Sequence, residues 1–277
     1  MYSTGANKSK YDIRTFSYIP TKANIKGGSR YELGDIEDQH NVGICTAISM
    51  TMNARKVLGR DFSDDFQYLL QKKFIDGNWD EGSSAFSALK VGTDFGFLPQ
   101  KHWTATTLND RKLSYSKYIK KLQAVSDDEI QKLLEYSKEY KLSGYAKIPV
   151  DRDSLSNAID ESKAGIITRF NIDRSWWTSP IEPLTNPDWY SSVTGHLVTT
   201  SNYDGGSYRI ANSWGQAWAD GGTAYHLLND YAPTEAWIPY YDELPEPIND
   251  QKEDRKKVIG QIKDLLQKVI DLLGLLV

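Results

Sequence analysis

The stretch that decides the fold is Asp38-Gln39-His40-Asn41-Val42-Gly43-Ile44-Cys45-Thr46-Ala47. Apolar residues recur at near-helical spacing from Ile44 to Leu58, and Gly59 supplies a stop, so a helix is predicted there. Cys45, the single cysteine of the chain, lies in its first turn. A helix N-terminus stabilises a thiolate, and it also stabilises the oxyanion that forms when the thiolate attacks a carbonyl. A lone cysteine is also often buried filler or a regulatory thiol, so other residues must decide its role.

A thiol nucleophile needs a partner that takes its proton and later returns it, and histidine does this near neutral pH. Of the four histidines, His196 is the best candidate, because it begins a strand-like run that is followed by a second such run. The second run ends in Asn212-Ser213-Trp214-Gly215. Asn212 can accept a hydrogen bond from the imidazole and fix its rotation, while Trp214 covers that bond from water. The order along the chain is therefore Gln, Cys, His and Asn.

These motifs resemble those of the papain and cathepsin family, in which Gln-x5-Cys, His and Asn-Ser-Trp-Gly occur in the same order. The resemblance runs from about Tyr11 to about Tyr240. It implies a cysteine peptidase that works through a Cys45 thiolate, a His196 imidazolium and an acyl-enzyme, on a protein or peptide substrate. Asn212 would complete the triad. Gln39 would donate to the oxyanion together with the backbone N–H of Cys45.

The same resemblance implies a substrate cleft. Its residues would be Gly82, Ser83, Phe86, Leu197 and Trp214. Ser83 stands where the family has a second glycine, and it is equally well interpreted as a helix cap. Phe86 and Leu197 are equally well interpreted as core residues. The aromatic run from Trp176 to Tyr190 either walls this cleft or packs against the second lobe.

Several positions depart from the family pattern. Val42 and Asp80 stand where relatives place a bridging cysteine pair, Thr46 replaces a tryptophan, and His40 replaces a glycine. The missing disulfide fits a reducing compartment. The altered cleft and the added C-terminal helix leave one alternative function open, a binding or structural module that keeps the fold with little or no catalysis. Relatives carry a long inhibitory segment before the mature domain. Such a segment is not expected here, and the C-terminal helix is one candidate for the element that controls activity instead.

The fold class follows from a change of pattern along the chain. Helix starts are predicted at Ser63, at Ser83 or Ser84, and at Ser126, where Glu129 completes a capping-box pattern. After a short helix near 154–162, strand-like runs occupy 165–172, 196–203, 207–211 and 223–228. The sequence therefore predicts an α+β protein. With the family resemblance, this becomes a papain-like fold of two lobes, the first helical and the second an antiparallel, β-barrel-like lobe.

The predicted domains are an N-terminal extension (1–10), a peptidase-like domain (11–242), a linker rich in Pro, Asp and Glu (243–254) and an amphipathic C-terminal helix (255–277). In the last segment, apolar residues alternate spacings of three and four, as in a heptad seam. Self-association, docking on the chain's own domain and lying on a membrane surface all remain open for this helix.

Composition excludes several classes of function. A net charge of −4 gives no basic surface for nucleic acid. The sequence contains no run of about 18 apolar residues, so an integral membrane segment is not expected. Zinc-ligand spacing, a phosphate-binding loop and a Gly-x-Ser-x-Gly elbow are absent from the sequence, so no metal or cofactor is expected. No signal peptide is recognised at the start, so a cytoplasmic location is the default, with a virion-associated or exported form left open.

Overall fold

The first half of the chain is helical in the computed structural model, as the sequence predicts. The structure describes residues 4–9, 16–17, 35–162, 164–178, 184, 194–204, 207–229 and 231–241. The helices are α1 (Cys45–Leu58), α2 (Asp64–Leu70), a π-helix (Gln71–Asp76), α3 (Ala85–Asp94), α4 (Tyr115–Gln123) and α5 (Asp127–Ser137). Short 3-10 turns lie at Gln100–His102 and Leu108–Lys112.

The predicted helix starts are confirmed by their caps. Ser63 accepts a hydrogen bond from the N–H of Phe66, and Ser126 accepts one from Glu129. Of the two candidates at the third helix, Ser84 is the cap, accepting from Ser87. The α-helical part of the second helix ends at Leu70, and the chain continues directly as the π-helix. Helix α4 was not predicted.

The second half carries most of the strands. The helices here are α6 (Arg152–Glu161) and α7 (Ser175–Thr178). Numbered along the whole chain, the strands are β1 (Ala6–Asn7), β2 (Phe16–Ser17), β3 (Ser83–Ser84), β4 (Gly144–Ile148), β5 (Ile166–Ile172), β6 (Thr194–Asp204), β7 (Ser207–Ala211), β8 (Thr223–Leu227) and β9 (Glu235–Tyr240). Strands β1 and β3 form a small sheet, and the large sheet has the order β2-β4-β9-β5-β6-β7-β8.

The antiparallel sheet is confirmed, but its barrel-like closure is not. All neighbours in the large sheet are antiparallel except β2, which runs parallel to β4. Closure would require hydrogen bonds between the two edge strands. Within the described residues, the edges are β2, of only two residues, and β8, and they are not paired with each other. The sheet that the described strands form is therefore open.

Strand register places the site residues of this lobe. Phe170 of β5 faces His196 of β6, and Thr199 of β6 faces Ala211, the last residue of β7. Asn212 follows β7 directly. It therefore lies beside the first part of β6, which carries His196.

The two lobes meet where helix α1 packs on strand β6. The Ser49 hydroxyl donates to the Leu197 carbonyl at 2.9 Å, and the Thr199 hydroxyl donates to the Ser49 carbonyl at 3.1 Å. Around these bonds lies a buried apolar cluster to which both lobes contribute, including Cys45, Met50, Ile167, Leu197 and Trp237. Helix α1 and strand β6 are thereby fixed against each other, and each carries one of the two predicted reactive side chains.

The chain divides into a compact unit, Met1–Tyr241, and a second unit, Asp242–Val277. The predicted linker (243–254) and amphipathic helix (255–277) lie outside the described residues. Among the helices that the structure describes, none combines the length and apolarity needed to cross a membrane.

A buried ion cluster holds the helical lobe together near the start of α2. The Arg111 guanidinium contacts Asp64 at 2.9 Å and Asp65 at 3.0 Å, and all three side chains are buried. Burial raises the pKa of Asp64 to about 6, while the charge of Arg111 acts in the opposite direction. Removing the arginine would leave two uncompensated buried carboxylates.

Candidate active site

Cys45 is the first residue of α1 and is completely buried. Its helix has no side-chain cap at Ile44, so the N–H groups of the first turn are not taken by a capping side chain. Burial raises the pKa of the thiol to about 11, and backbone hydrogen bonds from Leu197, Gly5 and Thr46 partly oppose this. In this conformation the thiol is therefore protonated near neutral pH.

His196 and Asn212 are brought together as a hydrogen-bonded pair. His196 Nε2 lies 2.6 Å from Asn212 Oδ1, and both side chains are buried. Since Oδ1 can only accept, Nε2 carries the proton and Nδ1 is the basic nitrogen of the neutral ring. Burial lowers the pKa of His196 to about 4, with the Asn212 bond partly offsetting it. Within the described part of the chain, Nδ1 makes no hydrogen bond.

Aromatic side chains cover this pair. The Trp214 ring stacks on the imidazole with centroids 4.7 Å apart and planes 25° apart. Trp176 meets the imidazole edge-on at 6.3 Å and also packs against Trp214. Trp176 is thus part of the core of the β-lobe. This agrees with the interpretation that the aromatic run packs against the second lobe. Most of the rest of that run lies outside the described residues. Trp214 screens the histidine.

Gln39 is held by Ser213, the residue after the asparagine. The Ser213 hydroxyl donates to Gln39 Oε1 at 2.5 Å, and the Gln39 N–H donates to the Ser213 carbonyl at 2.9 Å. Because the amide oxygen accepts from Ser213, the amide NH₂ group is the end that can donate to an oxyanion. Sequence reasoning missed this role of Ser213, although its place beside Asn212 in the motif was a signal.

The N-terminal segment Thr4–Ser9 occupies the cleft that was expected for a peptide. Its strand β1 pairs in parallel with β3, and the Ser83 N–H donates to the Gly5 carbonyl at 2.7 Å. A Cβ atom on Gly82 would lie 2.1 Å from that carbonyl oxygen, so the close approach requires glycine there. Ala6 is buried in the cluster that contains Cys45 and Leu197. The described part of the predicted extension, residues 4–9, thus belongs to the site.

Further hydrogen bonds fix this segment to both lobes. Arg169 Nε donates to the Ala6 carbonyl at 3.0 Å, and the Ser9 N–H donates to Glu235 Oε1 at 2.9 Å. On the helical side, the Phe86 N–H donates to the Ser9 hydroxyl at 3.2 Å. The segment therefore bridges the cleft instead of lying on one wall.

The remaining predicted substrate residues differ in their surroundings. Gly82 and Ser83 contact β1, so they line the cleft. Leu197 is buried in the cluster between the lobes, next to Ala6. The Phe86 ring is half-buried and meets Tyr145 edge-on at 6.2 Å.

The departures from the family pattern also have structural outcomes. The Thr46 hydroxyl donates to Gln71 Oε1 at 2.7 Å, within the helical lobe. Near Val42 and Asp80, the Gly43 N–H donates to Glu81 Oε1 at 2.9 Å, which joins the two loops without a disulfide. Among the described residues, no group of three or more His, Cys, Asp or Glu side chains is arranged to hold a metal ion.

Comparisons with known proteins agree with this architecture. No protein-family model and no curated protein sequence matches the chain. Among solved structures, it is similar to xylellain, a cysteine protease from Xylella fastidiosa, with a TM-score of 0.71 and 22% identity over 87% of this chain and 96% of that one. It is also similar to digestive procathepsin L 3 of Tenebrio molitor larval midgut (TM-score 0.57, 19% identity, 82% and 74% of the chains). It is similar as well to the bromelain protease from Ananas comosus, with a TM-score of 0.53 and 16% identity over 75% of this chain and 94% of that one. The fold is papain-like.

Proposed function

We propose that this chain is a cysteine-type peptidase that hydrolyses internal peptide bonds through Cys45. Two observations support the proposal: His196 and Gln39 each make a buried hydrogen bond within the Asn212-Ser213 motif, and the Cys45 thiol meets the backbone of Leu197, the residue after His196. His196 lies in β6, and its partner Asn212 directly follows β7. Gln39 bonds to Ser213, the next residue, while Cys45 opens α1. The structural neighbours reported above include proteins described as cysteine proteases, which supports the same chemistry.

The reaction follows from these groups. His196 Nδ1 takes the proton of the Cys45 thiol, and the sulfur attacks the scissile carbonyl carbon. The resulting oxyanion accepts hydrogen bonds from the Cys45 N–H and the Gln39 amide. As the tetrahedral intermediate collapses, His196 returns its proton to the leaving amine and a thioester forms. Water then attacks the thioester with His196 as base, which releases the acid and restores the thiol. Asn212 keeps the imidazole oriented throughout.

A peptide must displace the Thr4–Ser9 segment before this chemistry begins, because both need the Ser83 N–H. Burial is the main cause of the raised pKa of Cys45 and the lowered pKa of His196. Water entering the opened cleft would reduce that penalty for both charged forms. The thiolate and imidazolium pair therefore belongs to the open cleft, and the neutral pair to the closed one.

A binding or structural module is the second candidate function. The specific observation in its favour is the occupied cleft, in which burial raises the pKa of the Cys45 thiol and lowers the pKa of the His196 imidazole. A chain that held this state permanently would have the fold of a peptidase without turnover. The two functions differ in whether Cys45 reacts.

The test combines labelling and turnover on the full-length chain. We expect the chain to cleave a fluorogenic peptide and to gain the mass of an epoxide-type thiol inhibitor on Cys45. Cys45→Ala should lose both, whereas Asn41→Ala, an exposed change in the same stretch, should keep both. Turnover retained by Cys45→Ala would overturn the proposed mechanism. A full-length chain that neither cleaves a peptide library nor takes the label, even with the N-terminal segment displaced as described in the Discussion, would favour the binding module.

A further inference from the structure

Lys72 is a buried lysine close to the cleft, and the reaction above does not use it. Its side chain is 1% exposed, although lysine is almost never fully buried unless it is paired. Its ammonium has three partners: the Gly82 carbonyl at 2.7 Å, Asp76 Oδ2 at 2.9 Å and Asn78 Oδ1 at 3.2 Å. The three N–H donors of the ammonium thus match three acceptors.

The π-helix that carries Lys72 connects it to the cleft. π-helical turns are rare and are frequently found at functional sites. Here the turn ends at Gly77, whose N–H donates to the Lys72 carbonyl at 3.1 Å. Asp76, at the end of the same turn, also accepts from the Ser87 hydroxyl at 2.6 Å. The turn therefore holds Gly82, the residue before β3, through Lys72, and it holds the start of α3 through Asp76.

The geometry of one peptide unit links Lys72 to substrate binding. The Gly82 carbonyl and the Ser83 N–H belong to the same planar, trans unit, so they point in opposite directions. Lys72 holds the carbonyl on the helical side, and the Ser83 N–H consequently faces the cleft, where it donates to Gly5. On the same helical side, the Tyr68 hydroxyl accepts from the Gly82 N–H at 3.0 Å.

We propose that Lys72 is a positioning residue for the peptide-binding strand: by holding the Gly82 carbonyl, it directs the Ser83 N–H toward the backbone of a bound peptide. This inference rests on the proposed peptidase function. A strand that pairs with a peptide contributes to binding before and during the reaction, so its loss raises KM and leaves kcat largely unchanged. General damage to the site would lower kcat instead, because Cys45 and His196 would be misplaced.

The test compares Lys72→Met with Lys73→Met, a matched control. Lys73 lies in the same π-helix, is part-exposed, and contacts Asp127 instead of the cleft. Both changes are made in the full-length chain carrying Gly5→Val, so that β1 does not compete with the peptide. We expect Lys72→Met to raise the peptide KM about tenfold, the effect of losing one or two ordinary hydrogen bonds. Its kcat and its rate of Cys45 alkylation by iodoacetamide should match the control.

A KM equal to that of the control, or a loss confined to kcat, overturns the inference. If Lys72→Met does not fold, Lys72→Gln takes its place in the same comparison. If no chain hydrolyses a peptide, the proposed function fails, and amide hydrogen exchange at Ser83 in the otherwise unsubstituted chain decides about Lys72. Faster exchange in Lys72→Met than in Lys73→Met supports the positioning role, and equal exchange overturns it.

Discussion

Displacing the Thr4–Ser9 segment should expose Cys45, and Gly5 offers the sharpest way to do it. A Cβ atom on Gly5 would lie 2.6 Å from the Gly43 carbonyl oxygen and 2.7 Å from the Gly82 Cα atom. Both neighbours are backbone atoms, which cannot rotate away as a flexible side chain can. In Gly5→Val, the segment must therefore shift out of its place in the cleft.

The size of the effect follows from the cost of that overlap. Forcing extra methyl groups into a well-packed site costs about 1–3 kcal/mol. A value of about 2 kcal/mol would shift the balance between closed and open cleft by roughly 30-fold. While the closed form dominates, the rate of thiol alkylation is proportional to the open fraction, so we expect that rate to rise by roughly the same factor.

The assay is the second-order rate of Cys45 alkylation by iodoacetamide across a range of pH. Lys8→Ala is the matched control, since Lys8 lies in the same segment but is exposed. Burial is the main cause of the thiol pKa of about 11, so the pH profile of Gly5→Val should also move to lower pH. A rate and a pH profile indistinguishable from those of Lys8→Ala would refute the reasoning, because the segment would then not limit access to the thiol.

Three further changes test other parts of the molecule. Gln39→Ala should lower kcat by about 100-fold, as expected for one oxyanion donor. Ser213→Ala should lower it less, because the glutamine keeps its amide and loses only one hydrogen bond, and steady-state kinetics on one peptide compares the two. Burial lowers the pKa of His226 to about 4, so between about pH 6.5 and 4 the unfolded chain binds a proton that the folded chain does not, and stability falls as the pH falls. Urea unfolding of His226→Phe should therefore show a pH dependence shallower by about 1.4 kcal/mol per pH unit in this range. Arg111→Met should reduce the free energy of unfolding in urea by about 3–5 kcal/mol, and a loss below about 1 kcal/mol would contradict the buried ion cluster.

The limits of sequence reasoning are visible in the sheet. Strand β9 was not predicted, and Pro239 within it argues against a central strand. In the structure, β9 pairs with β5 only as far as Trp237, so the proline lies beyond that ladder. On its other side β9 pairs with β4, where Pro239 lies opposite Tyr145. Which neighbour the proline faces thus depends on register, which a single sequence does not reveal.

The sequence by itself determined the features that depend on neighbouring residues. A helix start at Cys45 and the caps at Ser63 and Ser126 rest on contacts within one helical turn, and the order of Gln39, Cys45, His196 and Asn212 is visible without coordinates. The helix predicted over 255–277 is also of this local kind, and it stays a prediction.

Only the tertiary structure decided what surrounds the thiol. Arg169 bonds to Ala6 across 163 positions of the chain, and Ser213 bonds to Gln39 across 174. Such contacts leave no periodic pattern in the sequence, because each partner is chosen by the path of the folded backbone. The burial of Cys45 under the N-terminal segment is likewise a property of the packed lobes. Since burial sets the protonation of Cys45 and His196, the state of the cleft could be read only from the fold.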